Sequence, residues 1–160
     1  MITCTPAITF ALETLLQGYG LKVHLLSADS AIPGTYWGEP EAGLVGDSLY
    51  VRPDTPLHSA LHEAGHFICM DEQRRRTLDT DALSDDLEEC AVCYLQVLLA
   101  AHIEGAGAER IMDDMDAWGY TFRLGSTRAW FEHDAADARQ WLFERNMIDP
   151  EDRLTGYRVG

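Results

Sequence analysis

Apolar positions along the 160-residue chain change their period twice. In "PAITFALETLLQ" (6–17) they recur at helical spacing, with Pro6 at a helix start and Gly18 at its end. In "LKVHLL" (21–26) they alternate, which predicts a strand. Residues 34–53 carry Gly and Pro among short β-like runs. This predicts a hairpin or meander, with Gly46-Asp47 turning into the strand "SLYVR". From residue 55 the helical period returns. Thr55 as N-cap and Pro56 as first helical residue predict a helix over 56–70, with Leu57, Leu61, Ala64 and Ile68 on one face. The polar residues 71–83 read as a loop or short surface helix. Ser84 can cap a second helix, with Asp85 and Asp86 in its first turn, running to about Ile103. Leu87, Ala91, Leu95, Leu98 and His102 mark its apolar face. Residues 108–120 and 134–145 predict two further helices about a turn at 122–127, and the tail after Pro150 reads as irregular. Helix, strands, then helices is a segregated α+β order rather than a βαβ repeat, and its length suits a single domain over 1–160.

The first of the two central helices contains "HEAGH" at 62–66, an H-E-x-x-H sequence. Residues four apart stack one turn above each other, so His62 and His66 can aim imidazole nitrogens at one metal ion. Glu63, offset by one residue, flanks that point and can take a proton from a metal-bound water. Zinc is the metal inferred from these ligand types, which iron, nickel or cobalt would also suit, and zinc lowers the pKa of its water to about 7. Gly65 inside a helix costs about 1 kcal/mol relative to Ala, which predicts that another backbone approaches there. His58, one turn earlier, reads as a surface or supporting residue rather than a ligand. A donor to a developing oxyanion is also needed, and Tyr120, His102, His133 and Arg128 are candidates.

Two histidines leave a third ligand to find. The second helix opens with "DDLEEC" (85–90). Glu88 lies near its apolar side with Ala91, Val92, Leu95 and Leu99. Glu89 shares a more polar side with Cys93, Gln96 and Ala100. A ligand must point inward, which favours Glu88 over Glu89, with Cys90 and Cys93 as alternatives and helix-end decoration as the plainest role for all the acids. "HEAGH" followed by "EECAVCYLQVLLA" resembles the gluzincin metallopeptidases, closest to the ImmA/IrrE-like branch, in which H-E-x-x-H precedes a helix of the form E-x-E-A-N-x-F-A-x-x-L-L. Laying Ala91 on that Ala puts Glu88 on the first Glu, Cys90 on the second, Val92 on the Asn, Tyr94 on the Phe and Leu98-Leu99 on the paired leucines. The likeness covers roughly residues 48–100. It implies a zincin-like fold, a small β-sheet packed on a helical core, with His62, His66 and Glu88 as zinc ligands and Glu63 as general base. The activity it implies is hydrolysis of a peptide bond in a peptide or protein substrate, which the strand near "SLYVRP" would present by pairing at a sheet edge. Rival readings are a non-catalytic zinc-stabilised interaction module and a zinc amidase acting on other bonds.

Composition narrows the partners. The formal net charge is −15, from 27 acidic against 12 basic residues, which repels phosphate backbones and argues against nucleic acid. No stretch is long and apolar enough to span a membrane, since Gln96 breaks "AVCYLQVLLAA". The first residues lack a basic n-region, so the four cysteines are expected as reduced thiols in a cytoplasm. Cys90 and Cys93 lack the second pair of a zinc-binding C-x-x-C site and read as small buried residues. Met112, Met115 and Trp118, three apart, read as core, and "RRR" at 74–76 as a solvated face. Oligomeric state leaves no mark in the sequence.

Overall fold

The computed structural model describes residues 1–76 and 85–156. It is a mixed α+β arrangement: among the described residues there are seven helices and one three-stranded sheet. Helix α1 (Pro6–Gln17) starts where Thr5 accepts a hydrogen bond from the Ile8 amide, and it stops at Gly18. Strands β1 (Lys22–Leu25), β2 (Gly43–Val45) and β3 (Ser48–Val51) follow, with the expected turn at Gly46-Asp47 between β2 and β3. The sheet order is β1-β3-β2. β3 runs parallel to β1 and antiparallel to β2.

This order corrects one expectation. β3 carries "SLYV" in the centre of the sheet and cannot receive a substrate strand. The outer side of β2 is partly covered too. Thr35 bridges Gly43, and a Cβ on Gly43 would lie 1.8 Å from the Pro33 carbonyl oxygen, so only glycine lets the preceding loop close here.

Helix α2 (Leu57–Cys69) begins one residue later than expected. Pro56 occupies the cap position, because the Thr55 hydroxyl instead accepts from the Arg52 amide at 2.9 Å. Leu57, Leu61, Ala64 and Ile68 are fully buried, as their spacing predicts. Short helix α3 (Glu72–Arg76) follows. Its arginines are not merely solvated: Arg74 reaches Glu88, buried Arg75 donates to the Phe67 and Ile68 carbonyls, and Arg76 pairs with Glu72. The Ser84 cap and the loop over 77–83 lie outside the described residues. Helix α4 (Asp86–Ala100) is capped by Asp85, whose carboxylate accepts from the Glu88 amide at 2.7 Å.

α4 is the axis of the molecule, packed against α2 on one side and α7 on another. It is buried nearly all round from Ala91 to Ala100, so the single apolar stripe proposed for it does not describe it. Leu87 and His102, assigned to that stripe, are exposed. Helices α5 (Ala108–Trp118), α6 (Thr127–His133) and α7 (Ala136–Glu144) complete the chain. α6 was not expected, although Ser126 caps it in the ordinary way by accepting from the Ala129 amide. One apolar cluster runs from Cys4 to Ile148 and joins the sheet to the helices. Among the described residues, no helix is long and apolar enough to cross a membrane.

Candidate metal centre

α2 and α4 lie so close at the middle of "HEAGH" that a Cβ on Gly65 would sit 2.9 Å from Val92 Cγ1 and 3.4 Å from the Val92 carbonyl. The glycine thus serves the close approach expected of it, and α4 is the element that approaches. The approach brings α4 side chains onto the two histidines. His62 Nε2 and His66 Nε2 stand 3.2 Å apart. Glu89 reaches both, with Oε1 2.8 Å from His62 Nε2 and Oε2 3.2 Å from His66 Nε2. One ligand atom from each of the three residues lies within 4.8 Å of the others.

The carboxylate at the histidines is therefore Glu89 and not Glu88. Glu88 turns away, where both its oxygens take the Arg74 guanidinium at 2.8 and 2.9 Å. The physical reason lies in the all-round burial of α4. Inward has more than one meaning on such a helix, and the side facing α2 carries Glu89, Cys93 and Gln96, at spacings of four and three, beside Val92. Cys93 lines the same cavity as His62 and Glu89. Cys90 is half-buried on the same cavity wall, and all four cysteines are free.

Gln96 ties the site together. It is fully buried, and its Nε2 donates to the His58 carbonyl at 2.7 Å. A carbonyl can only accept, so this bond fixes the amide's orientation and leaves Oε1 facing His62 Nδ1 at 3.1 Å. His62 Nδ1 then carries a proton that it donates to Gln96 Oε1, and Nε2 is the nitrogen that faces Glu89 and His66. The same Gln96 Nε2 lies 3.3 Å from the Tyr120 hydroxyl, which is also 3.1 Å from His58 Nδ1. His58 is thus a buried partner of Tyr120 and not a surface residue. No sequence signal singled out Gln96. Its spacing from Glu89 and Cys93 was the available clue.

The charges agree with this geometry. Burial disfavours a charged His62, but hydrogen bonds to Cys93 and Glu89 outweigh it and hold the imidazole well above its ordinary value. Burial likewise opposes ionisation of Glu89, and its bonds from His62 and His66 overcome that and hold the carboxyl well below the usual range. The imidazole and the carboxylate thus stabilise each other's charged forms. Burial raises the Glu63 carboxyl, against the pull of the two histidines. Burial lowers His58 to about 4, so it stays neutral, and pushes the Tyr120 hydroxyl up to about 12, so it stays protonated.

Above the cluster opens a cavity of about 650 Å³. His62, Glu63 and Glu89 form its floor, and Trp37, Glu41 and Trp118 stand on its walls with Tyr120. Trp118 is 44% exposed, so it belongs to this rim and not to the core with Met112 and Met115. Of the expected oxyanion donors only Tyr120 lines the cavity. His102 and His133 are exposed elsewhere, and Arg128 pairs with Glu109 on the surface. No protein-family model, curated protein or solved structure matches the chain.

Proposed function

We propose that the chain is a zinc-dependent metallopeptidase with a zincin-like arrangement, in which His62, His66 and Glu89 hold the metal and Glu63 acts as general base. One observation carries the reading: three donors of the right type converge at spacings that suit an ion. A tetrahedral ion with bonds of about 2.0–2.1 Å holds its ligands about 3.3 Å apart, and the two imidazole nitrogens stand 3.2 Å apart. The gluzincin resemblance supports the roles of His62, Glu63 and His66. Its third position moves one residue on, from Glu88 to Glu89. Zinc, when bound, supplies a Lewis acid that polarises the scissile carbonyl and acidifies a water.

The chain's own groups do the rest. Glu63 takes a proton from the attacking water as its oxygen bonds to the carbonyl carbon. It then delivers that proton to the nitrogen as the C–N bond breaks. The protonated Tyr120 hydroxyl, beside the cavity floor, donates to the oxyanion. The open cavity supports catalysis, since a structural zinc site is closed. The place of Cys93 in the cavity lining with His62 and Glu89 favours a second reading, a closed structural site with a thiolate ligand.

Metal content by mass spectrometry tests the proposal. The expected result is near one zinc per chain, lost in His62→Ala, strongly weakened in Glu89→Gln and kept in Glu88→Gln. Glu63→Gln should keep zinc and lose peptide hydrolysis. Zinc that survives Glu89→Gln, or hydrolysis unchanged in Glu63→Gln, overturns it. Cobalt substitution separates the two readings, because only a Cys93 thiolate ligand gives sulfur-to-cobalt charge-transfer absorption.

A further inference from the structure

Among the described residues three carboxylates line the cavity, and the mechanism uses two of them. Glu89 sits between the histidines and Glu63 is the base, which leaves Glu41. Trp118 Nε1 donates to Glu41 Oε1 at 2.9 Å, across 77 positions of sequence. That bond fixes the carboxylate at the edge of an indole and joins the two rims of the cavity. A carboxylate has two oxygens and the indole has one N–H, so the bond leaves acceptor capacity on Glu41.

The walls are aromatic. Trp37, Trp118, Tyr120 and Phe122 all face the cavity, and Trp37 is 76% exposed. The core does not account for so much exposed ring surface at one place. Among the described residues, the cavity lining contains no Lys or Arg. At the rim, away from His62, an acidic side chain would meet Glu41 with no Lys or Arg in the lining to offset it, in a chain of net charge −15. A neutral apolar side chain would satisfy the rings and leave Glu41 without an ion partner. A long cationic side chain satisfies both, its stem against the rings and its charge at the ring faces and Glu41.

We propose that this cavity selects a Lys or Arg side chain of the substrate, flanking the bond that is cut, with Glu41 as the specificity-determining carboxylate. The proposal rests on the peptidase reading and names its substrate class.

The test uses the zinc-loaded full chain and peptides blocked at both ends, identical except for Lys, Arg, norleucine or Glu beside the scissile bond. Norleucine keeps an apolar stem without the charge. The expected kcat/KM for Lys and Arg peptides exceeds that for norleucine about tenfold, with Glu lowest. Glu41→Gln keeps an oxygen for the Trp118 bond and should collapse the preference to about twofold, with zinc content unchanged. Hydrolysis without a basic preference, or a preference that survives Glu41→Gln, overturns the proposal. So does a preference seen only in peptides with a free N-terminus, which would place the α-amino group at Glu41. The same peptides titrated into the Glu63→Gln variant, followed by tryptophan fluorescence, read the cavity apart from turnover. If no peptide is cut by the zinc-loaded native chain, the peptidase reading fails. Equal binding of Lys and norleucine peptides would then sink the specificity as well.

Discussion

The floor of the cavity is carried by α2 and α4, whose half-buried side chains there are bonded to one another and to buried Gln96. Its rim comes from two connecting segments, around 37–41 and 118–122, whose tryptophans stand in solvent. On the floor, one amide fixes a histidine tautomer and contacts a tyrosine hydroxyl. On the rim, a single hydrogen bond between Trp118 and Glu41 joins the two segments. The difference follows from what each must do. Ligands around an ion have to hold their positions within fractions of an ångström, so they belong on packed helices. Side chains that meet a substrate gain from exposure and tolerate movement. Substitutions at His62, His66, Glu89 and the Gln96 that supports them should therefore disturb metal binding, and those on the rim should disturb selection alone.

The largest effect that sharpens this contrast is expected at Gln96, which touches no metal. Gln96→Leu removes the acceptor at His62 Nδ1 and the bond to the His58 carbonyl. Loss of such a supporting contact lowers metal affinity about 10–100-fold. A competition titration with a chromophoric chelator measures it. Gln96 is a positioning residue if thermal unfolding of the metal-free variant stays close to that of the native chain while affinity falls. Unchanged affinity would mean that the His62 tautomer is set some other way.

A smaller effect tests how tightly α2 and α4 must approach. Gly65→Ala gains helix propensity worth about 1 kcal/mol. It also places a methyl 2.9 Å from Val92 Cγ1, on a stiff β-branched side chain, and overpacking of this kind costs about 1–3 kcal/mol. The cost wins, so the net expectation is destabilisation by about 1 kcal/mol in urea unfolding. Removing the obstacle should reverse the sign of the coupling. Gly65→Ala combined with Val92→Ala should be more stable than the sum of the two single changes predicts. Simple additivity would show that the helices part without strain.

Much of this region was legible before folding. The α1 boundaries, the strand at 22–25, the turn at 46–47 and the buried face of α2 all follow from period and punctuation, which are local signals. "HEAGH" needs only the pitch of a helix to bring His62 to His66. What failed were statements about which element lies opposite. Glu88 and Glu89 are one residue apart, and the choice between them rested on taking the apolar side of α4 as the inward side. α4 has neighbours on several sides, and apolarity does not say which neighbour is α2. The centrality of β3 is the same kind of fact, because it depends on strand order and not on the strand's own residues. Trp118 continues the spacing of Met112 and Met115 and still leaves the core, because it ends α5 at Gly119, just where the chain turns onto the rim.

Trp37 gives the smallest expected effect and the cleanest separation of rim from floor. It is 76% exposed, so truncation removes little buried surface, and the ring packs edge-on against Tyr36 at 4.8 Å. An exposed ring pair of this kind contributes about 0.5 kcal/mol or less. Trp37→Ala should therefore leave urea unfolding almost where it was, and zinc content at the native value. If Trp37 instead forms one wall for a substrate side chain, the same change should raise KM several-fold while kcat moves little, because the lost contact exists in ground state and transition state alike. A fall in zinc content would contradict the division between floor and rim, since Trp37 and His62 share a cavity and Trp37 stands on its exposed wall. A fall in kcat with KM unchanged would contradict it differently, by placing Trp37 among the groups that meet the reacting bond.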